Sequence, residues 1–266
     1  MFEALSADMR EMVTEQYAFR ELLYQMTRRD LLLRYKQTVM GFGWAIFMPL
    51  VNTIIFSVVF MRVAPIDVGV PYPVFAYLGL LAWNFFASAL RFSVTSLTAN
   101  TNLVTKVYFP REIFPFSAVV VSAVDFAVGA IPLAGMLIYY RIPLGPAILL
   151  LPAVVLVEII FAAGVSLVLA MANLFYRDVK YLFEVAITVW MFATSVLYPV
   201  DRFGGRLGAI LQFNPMTPII DAYRAVLLRG ELPSESFVVS IVVSMATLIV
   251  GWLLFHRAEF QFAENV

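Results

Sequence analysis

The sequence predicts an all-α integral membrane protein: six transmembrane helices, an N-terminal amphipathic interface helix, and re-entrant helices between spans five and six. Three observations predict it. Hydrophobic residues make up 62% of the chain and charged residues 14%, with a mean hydropathy of +0.88; soluble domains hold about 45–50% apolar and about 25% charged residues. The 266 residues contain six apolar runs, each near the ~20 residues that a bilayer crossing needs. Short polar segments separate these runs, apart from one half-polar interruption at 199–235. The chain divides accordingly into a cytosolic interface helix and elbow (1–41), a transmembrane domain (42–255) and a cytosolic tail (256–266).

Residues 2–26 read as an amphipathic helix, with Phe19, Leu22, Leu23 and Met26 at i, i+3, i+4 and i+7. Thr27 and Asp30 have capping-box spacing, which predicts a break and a second helix start there. Arg28, Arg29, Arg34 and Lys36 then lead into Gly41 and Gly43, where a chain lying on a membrane surface can turn to enter it. That joint reads either as an elbow coupled to a transport pathway or as an ordinary membrane-entry anchor.

The first span is expected at about Phe42–Met61, with Pro49 removing one backbone hydrogen bond and predicting a kink. The second covers about Val74–Leu97 and contains Arg91; a polar loop, Ala99–Glu112, follows it. The third, about Ile113–Tyr139, holds Asp125, and the fourth, about Pro146–Leu174, holds Glu158. In the fourth, Ala162, Ser166 and Ala170 recur every fourth position, which permits close helix contact. The charged turn FYRDVKY precedes a fifth span at about Leu182–Tyr198. Leu207–Phe213 and Ile219–Leu228 are too short to span and too apolar for a floppy loop, hence the re-entrant assignment. The sixth span covers about Phe237–Phe255. Eleven Lys and Arg fall on the side of the termini and six on the other, which places both termini in the cytoplasm.

Zero formal charge gives no long-range field toward nucleic acid. The absence of cysteine excludes disulfides, thiolate metal sites and cysteine nucleophiles. The charged first 40 residues carry no apolar core, so no cleavable signal peptide is expected. No GxxxxGK[ST] is present to cradle a nucleotide phosphate, and no nucleophile–base pair stands out, so no catalytic residue is assigned. The single histidine, His256, reads as a solvated interface residue, and one imidazole makes no transition-metal site. Arg91, Asp125 and Glu158 lie inside spans, where uncompensated charge is costly. By depth, Arg91 and Asp125 can meet between adjacent helices, either as an ion pair that holds the bundle or as a proton relay. The 24 Phe, 12 Tyr and 4 Trp are mostly expected at lipid or at the interfaces; a minority can line a path for sugars.

Four stretches in order, RRDLLLRYKQTVMGFGWAIFMPL, NLVTKVYFPREIFP, LFYRDVKYL and FNPMTPIIDAYR, resemble the membrane subunits of type-2 ABC exporters. The likeness is to the branch that exports lipid-linked polysaccharide of the O-antigen, capsule or teichoic-acid type, and it runs from about Phe19 to the tail. The resemblance implies a homodimer in the bacterial inner membrane, served by two copies of a separate cytosolic ATPase that uses ATP and Mg. This chain would bind no cofactor. Arg28, Arg29, Arg34 and Lys36 would belong to the helix resting on the ATPase, and Thr105, Lys106 and Arg111 to the loop seated in an ATPase groove. The first and fifth spans would line a channel at the dimer seam, through Trp44, Asn52 and Phe56 on one and Thr188, Trp190, Thr194, Ser195 and Tyr198 on the other, unless these face lipid. TPIID (Thr217–Asp221) departs from the pattern, which has a small residue and a glycine there. A permease for a drug or small lipid is the alternative; a channel without ATP coupling is a more distant one.

Overall fold

The computed structural model describes residues 14–36, 38–63, 65, 68–106, 108–199 and 214–262. Nine α-helices of six or more residues are described here: α1 (Arg20–Tyr35), α2 (Gly43–Val58), α3 (Tyr72–Ser96), α4 (Thr101–Lys106), α5 (Ile113–Tyr139), α6 (Leu151–Phe175), α7 (Val179–Phe192), α8 (Met216–Arg224) and α9 (Glu235–Ala258). Among the described residues, five segments are long and apolar enough to cross a membrane: Gly43–Arg62, Tyr72–Ser96, Ile113–Tyr139, Pro146–Phe175 and Glu235–Gln261. Residues 2–13 of the expected first helix and the apolar piece Leu207–Phe213 lie outside the described residues.

The bundle is built around α3. In its most apolar window 83% of residues are buried, against 17% for the span that contains α2. Two cross-helix bonds fix α3 antiparallel to α5. The Tyr77 hydroxyl donates to the Gly129 carbonyl at 2.7 Å near one end, and Ser93 Oγ to the Pro115 carbonyl at 3.3 Å near the other. Burying those hydroxyls is tolerable only because each donates. Helices α6 and α9 run parallel and meet at Gly164 and Gly251; a Cβ on Gly164 would sit 2.6 Å from the Leu248 nitrogen. The small residues Ala162, Ser166 and Ala170 are buried as well, and the glycine pair is what lets the two backbones touch.

Two expectations are corrected here. The spacing of Thr27 and Asp30 does not break the helix, since α1 continues through both. Asp30 is instead held from outside, accepting from Ser117 Oγ at 2.9 Å and pairing with Arg29 at 2.8 Å. The fifth apolar run is helical over only part of its length. Its helix, α7, has 14 residues, about 21 Å at 1.5 Å per residue, while the hydrocarbon core is ~30 Å thick. The chain leaves the helix after Phe192 because other groups claim its carbonyls. Asn214 Nδ2 donates to the Ala193 carbonyl at 3.1 Å, the Tyr72 hydroxyl to that of Leu197 at 2.9 Å, and the Arg224 guanidinium to those of Ser195 and Val196 at 2.6 and 2.7 Å.

Arg224 belongs to α8, a buried helix of nine residues that passes into the π-helical turn Ala225–Arg229 and stops at Gly230, whose φ is +67°. Its guanidinium is buried and lies over the Phe75 ring at 3.6 Å. Gly79 makes room for this arrangement: a Cβ there would lie 2.3 Å from the Val196 oxygen and 2.7 Å from Arg224 Nη2.

Candidate functional site

On a helix as enclosed as α3, the positions that escape burial are informative. Between Val74 and Thr95 they are Asn84, Ser88, Arg91, Phe92 and Thr95. Four of these five are polar, and they fall at i, i+4, i+7 and i+11, which puts them on one face of the helix. A polar stripe on an otherwise apolar intramembrane helix must face protein groups or water.

A half-open cavity of about 430 Å³ lies against this stripe. Asn84, Ser88 and Arg91 of α3 form one wall, Trp44 and Asn52 of α2 another, and Arg34, Tyr35 and Asp125 the inner end. Arg34 Nη1 stands 2.7 Å from Asp125 Oδ2, and the Tyr35 hydroxyl donates to Oδ1 of the same carboxylate. Asp125 is 12 residues into α5, about 18 Å from its start, so the end of α1 reaches well into the bundle. The Arg34 guanidinium also lies over the Phe92 ring at 4.1 Å, which favours a cation there.

A second cavity, of about 370 Å³, continues along the stripe: Thr95, Thr98 and Thr101 face Asn173, Arg177 and Lys180 across it. Between the two cavities Arg91 and Glu184 form a two-pronged pair, Nε–Oε1 at 2.9 Å and Nη2–Oε2 at 3.2 Å. Both side chains are about half exposed, so the pair is weak and separable.

This geometry corrects the expected Arg91–Asp125 pair: each residue has another partner, because α7 packs against α3 and the end of α1 reaches Asp125. Glu158 is fully buried and accepts from the Tyr223 hydroxyl at 2.7 Å, which ties α6 to α8. His256 is not a solvated interface residue. Its Nδ1 lies 3.4 Å from Glu112 Oε1, within a cluster that also holds Glu259 and Arg111.

The other expected site residues separate into two groups. Trp44 and Asn52 border the first cavity and Thr188 is exposed on α7. Phe56 is half-buried and stacks on Phe60 rather than on a cavity wall, and the Tyr198 hydroxyl donates to the Phe192 carbonyl at 2.6 Å. Trp190, Thr194 and Ser195 turn into the subunit. The Trp190 indole donates to Asn214 Oδ1 at 2.9 Å and packs on Trp83, Phe86 and Phe161, while Thr194 and Ser195 are buried. Thr194 Oγ1 donates to the Trp190 carbonyl and accepts from Asn214 Nδ2, both at 2.7 Å, so its hydroxyl is occupied inside one subunit. Of the basic residues expected at an ATPase, Arg28, Lys36 and Lys106 are exposed, as is Thr105. Arg29, Arg34 and Arg111 are held within the chain by Asp30, Asp125 and Glu259.

The sequence reading overlooked Asn84, Ser88 and Thr95. Their helical spacing inside a span was the available signal, because a polar face is expected only where a span meets something other than lipid.

The family model for the ABC-2 type transporter matches residues 21–228, from α1 into the π-helical turn after α8. The chain belongs to that family. Among curated proteins it is similar to the O-antigen export system permease protein RfbA of Myxococcus xanthus, 29% identical over 260 residues, which is 96% of this chain and 99% of the relative. A protein of the same name from Klebsiella pneumoniae is 29% identical over 246 residues, 92% of this chain and 94% of the relative. The polysialic acid transport protein KpsM of Escherichia coli is 21% identical over 245 residues, 87% and 91%. The resemblance carried by the four motifs therefore holds, and these relatives belong to the polysaccharide-export branch of the family.

Proposed function

We propose that this chain is the permease subunit of an ATP-driven exporter that moves lipid-linked polysaccharide out of the cytoplasm across the bacterial inner membrane. Two copies form the conduit between them, and two copies of a separate cytosolic ATPase supply the work. Both termini lie in the cytoplasm, and α8 with its π-helical turn is the re-entrant element on the far face.

One observation carries this reading. The enclosed helix α3 keeps a polar stripe open, bordered by two cavities, and the exposed residues along the middle of α9 offer nothing comparable: Val238, Val239, Ile241, Val242 and Met245 are all apolar. A face of hydroxyls, amides and weakly paired charges suits a hydrated polymer, because a sugar hydroxyl stripped of water must find another partner. Groups that exchange hydrogen bonds without gripping let a chain slide. A single 430 Å³ cavity is of the size that holds one small ligand, so a polymer needs a second subunit to complete the passage.

The test uses the absence of native thiols. Single cysteines replacing Asn52, Ser88 and Thr188 are expected to react with a membrane-impermeant maleimide in the ATP-driven complex, and export of the glycan falls on labelling. Cysteines replacing Thr194 and Val242 are expected to stay unlabelled. Protection of all three positions, or export unaffected by their labelling, overturns the assignment.

A further inference from the structure

The cluster at the junction of α5 and α9 has a composition and spacing that the transport reading does not use. Glu112 immediately precedes α5, while His256 and Glu259 stand on the last turn of α9 and just beyond it. Glu112 is 1% exposed, and its Oε2 has no hydrogen-bond partner; His256 Nδ1 is likewise buried and unpartnered. Glu112 Oε1 accepts from the Trp252 indole at 3.3 Å. Arg111 Nη1 sits 2.9 Å from Glu259 Oε1, leaving Oε2 of that carboxylate facing the histidine.

The distances discriminate between two kinds of site. His256 Nδ1 is 3.4 Å from Glu112 Oε1 and 3.8 Å from Glu259 Oε2. Both exceed the ~2.7–3.2 Å of an N–H···O hydrogen bond. Ligand atoms that share one tetrahedral ion at bonds of ~2.0–2.2 Å stand roughly 3.3–3.6 Å from one another. One ligand atom from each of the three residues lies within 4.8 Å of the others; the two histidine pairs close with shifts of a few tenths of an ångström, and the two carboxylates approach each other by side-chain rotation of about an ångström. Charge points the same way. The Glu112 and Glu259 carboxylates both face the imidazole, and the Arg111 guanidinium engages Glu259 but not Glu112 among the described ion pairs.

We infer that Glu112, His256 and Glu259 form a divalent-cation site suited to Zn²⁺, which fastens the joint between α4 and α5 to the end of α9. One imidazole and two carboxylates are borderline-to-hard ligands, a set that Zn²⁺ accepts and that leaves a fourth position for water. The Trp252 indole and the Arg111 guanidinium hold the two carboxylates from behind, the part that outer partners play at metal sites. The inference stands on this geometry alone and does not depend on what the protein transports.

The experiment uses the full chain in lipid nanodiscs with a purification tag that lacks histidine. After chelator treatment and dialysis, Zn²⁺ is titrated against a fluorescent indicator. One ion per chain is expected, with affinity at least about 100-fold weaker in His256→Gln. Glu259→Gln provides a second variant where Glu112→Gln fails to fold. Because His256 is the sole histidine, its imidazole resonance is expected to shift on addition of one equivalent of Zn²⁺. Binding that is indifferent to both substitutions overturns the inference. So does an imidazole that titrates with pH as a cation and ignores Zn²⁺, since the cluster is then an ion pair only.

Discussion

Separating Arg34 from Asp125 tests the link between the interface helix and the first cavity. The two charges lie 2.7 Å apart, with side chains 25% and 14% exposed. At an effective dielectric of ~20 the gross attraction is about 6 kcal/mol, most of it offset by desolvation. Exposed pairs net about 0–1 kcal/mol and breaking a buried pair costs about 3–5 kcal/mol; partial exposure places this pair near 2–3 kcal/mol. Asp125→Asn keeps an acceptor for the Tyr35 hydroxyl but leaves Arg34 without its counter-charge. Arg34→Gln leaves the carboxylate without its cation. Each single variant is therefore expected to lower the melting temperature by roughly 5–10 °C, at about 2–4 °C per kcal/mol for a chain approaching this size. The readout is tryptophan fluorescence in nanodiscs, and the double variant should be more stable than the sum of the two losses by about 1.5–2.5 kcal/mol. The same cycle with Arg91→Gln and Asp125→Asn is expected to be additive within about 0.5 kcal/mol. Additivity in the Arg34 cycle, or coupling in the Arg91 cycle, refutes the assignment of partners.

Arg224→Met removes both donors from the Ser195 and Val196 carbonyls; at about 1–3 kcal/mol per orphaned group, folded yield in membranes is expected to collapse, with Arg224→Lys recovering only part of it. Gly79→Ala forces a Cβ to 2.3 Å from the Val196 oxygen and is expected to lower the melting temperature. A variant as stable as the parent protein would show that α8 and the turn after α7 are loosely seated. Lys106→Glu reverses an exposed charge that makes no ion pair among the described residues. It is expected to leave insertion and melting unchanged and to reduce ATP-driven export, and full export in that variant would remove Lys106 from ATPase contact.

Helix positions were legible because bilayer crossing imposes length and apolarity together. Ile113–Tyr139 begins and ends where the sequence placed it, the runs beginning near Val74 and Pro146 came within about two residues, and the last helix starts two residues before Phe237 and ends three after Phe255. Partners were not legible. Depth along a span shows which charges share a level of the membrane, and Arg91 and Asp125 do, but it does not show which helix faces which. Only packing reveals that Asp125 is met by the end of α1 and that Arg91 is met by α7. The ending of α7 was hidden for a related reason. Leu182–Tyr198 contains no proline or glycine to mark a stop, and the groups that terminate its helix, Asn214 and Arg224, arrive from 20 residues or more downstream. Polar residues near the end of that run looked like lining for the same reason, when Thr194 was already committed to Asn214.

The early end of α7 also bears on how far a passenger must travel against side chains. About 21 Å of helix in a ~30 Å core leaves ~9 Å of crossing beyond Phe192. Along that last stretch bare backbone would ordinarily offer a row of acceptors that need partners inside the membrane. Here the carbonyls of Ser195, Val196 and Leu197 are already occupied by Arg224 and Tyr72. The final third of the crossing is thus non-helical backbone buried inside the subunit, its carbonyls bonded by α8 and α3 rather than left open in the membrane.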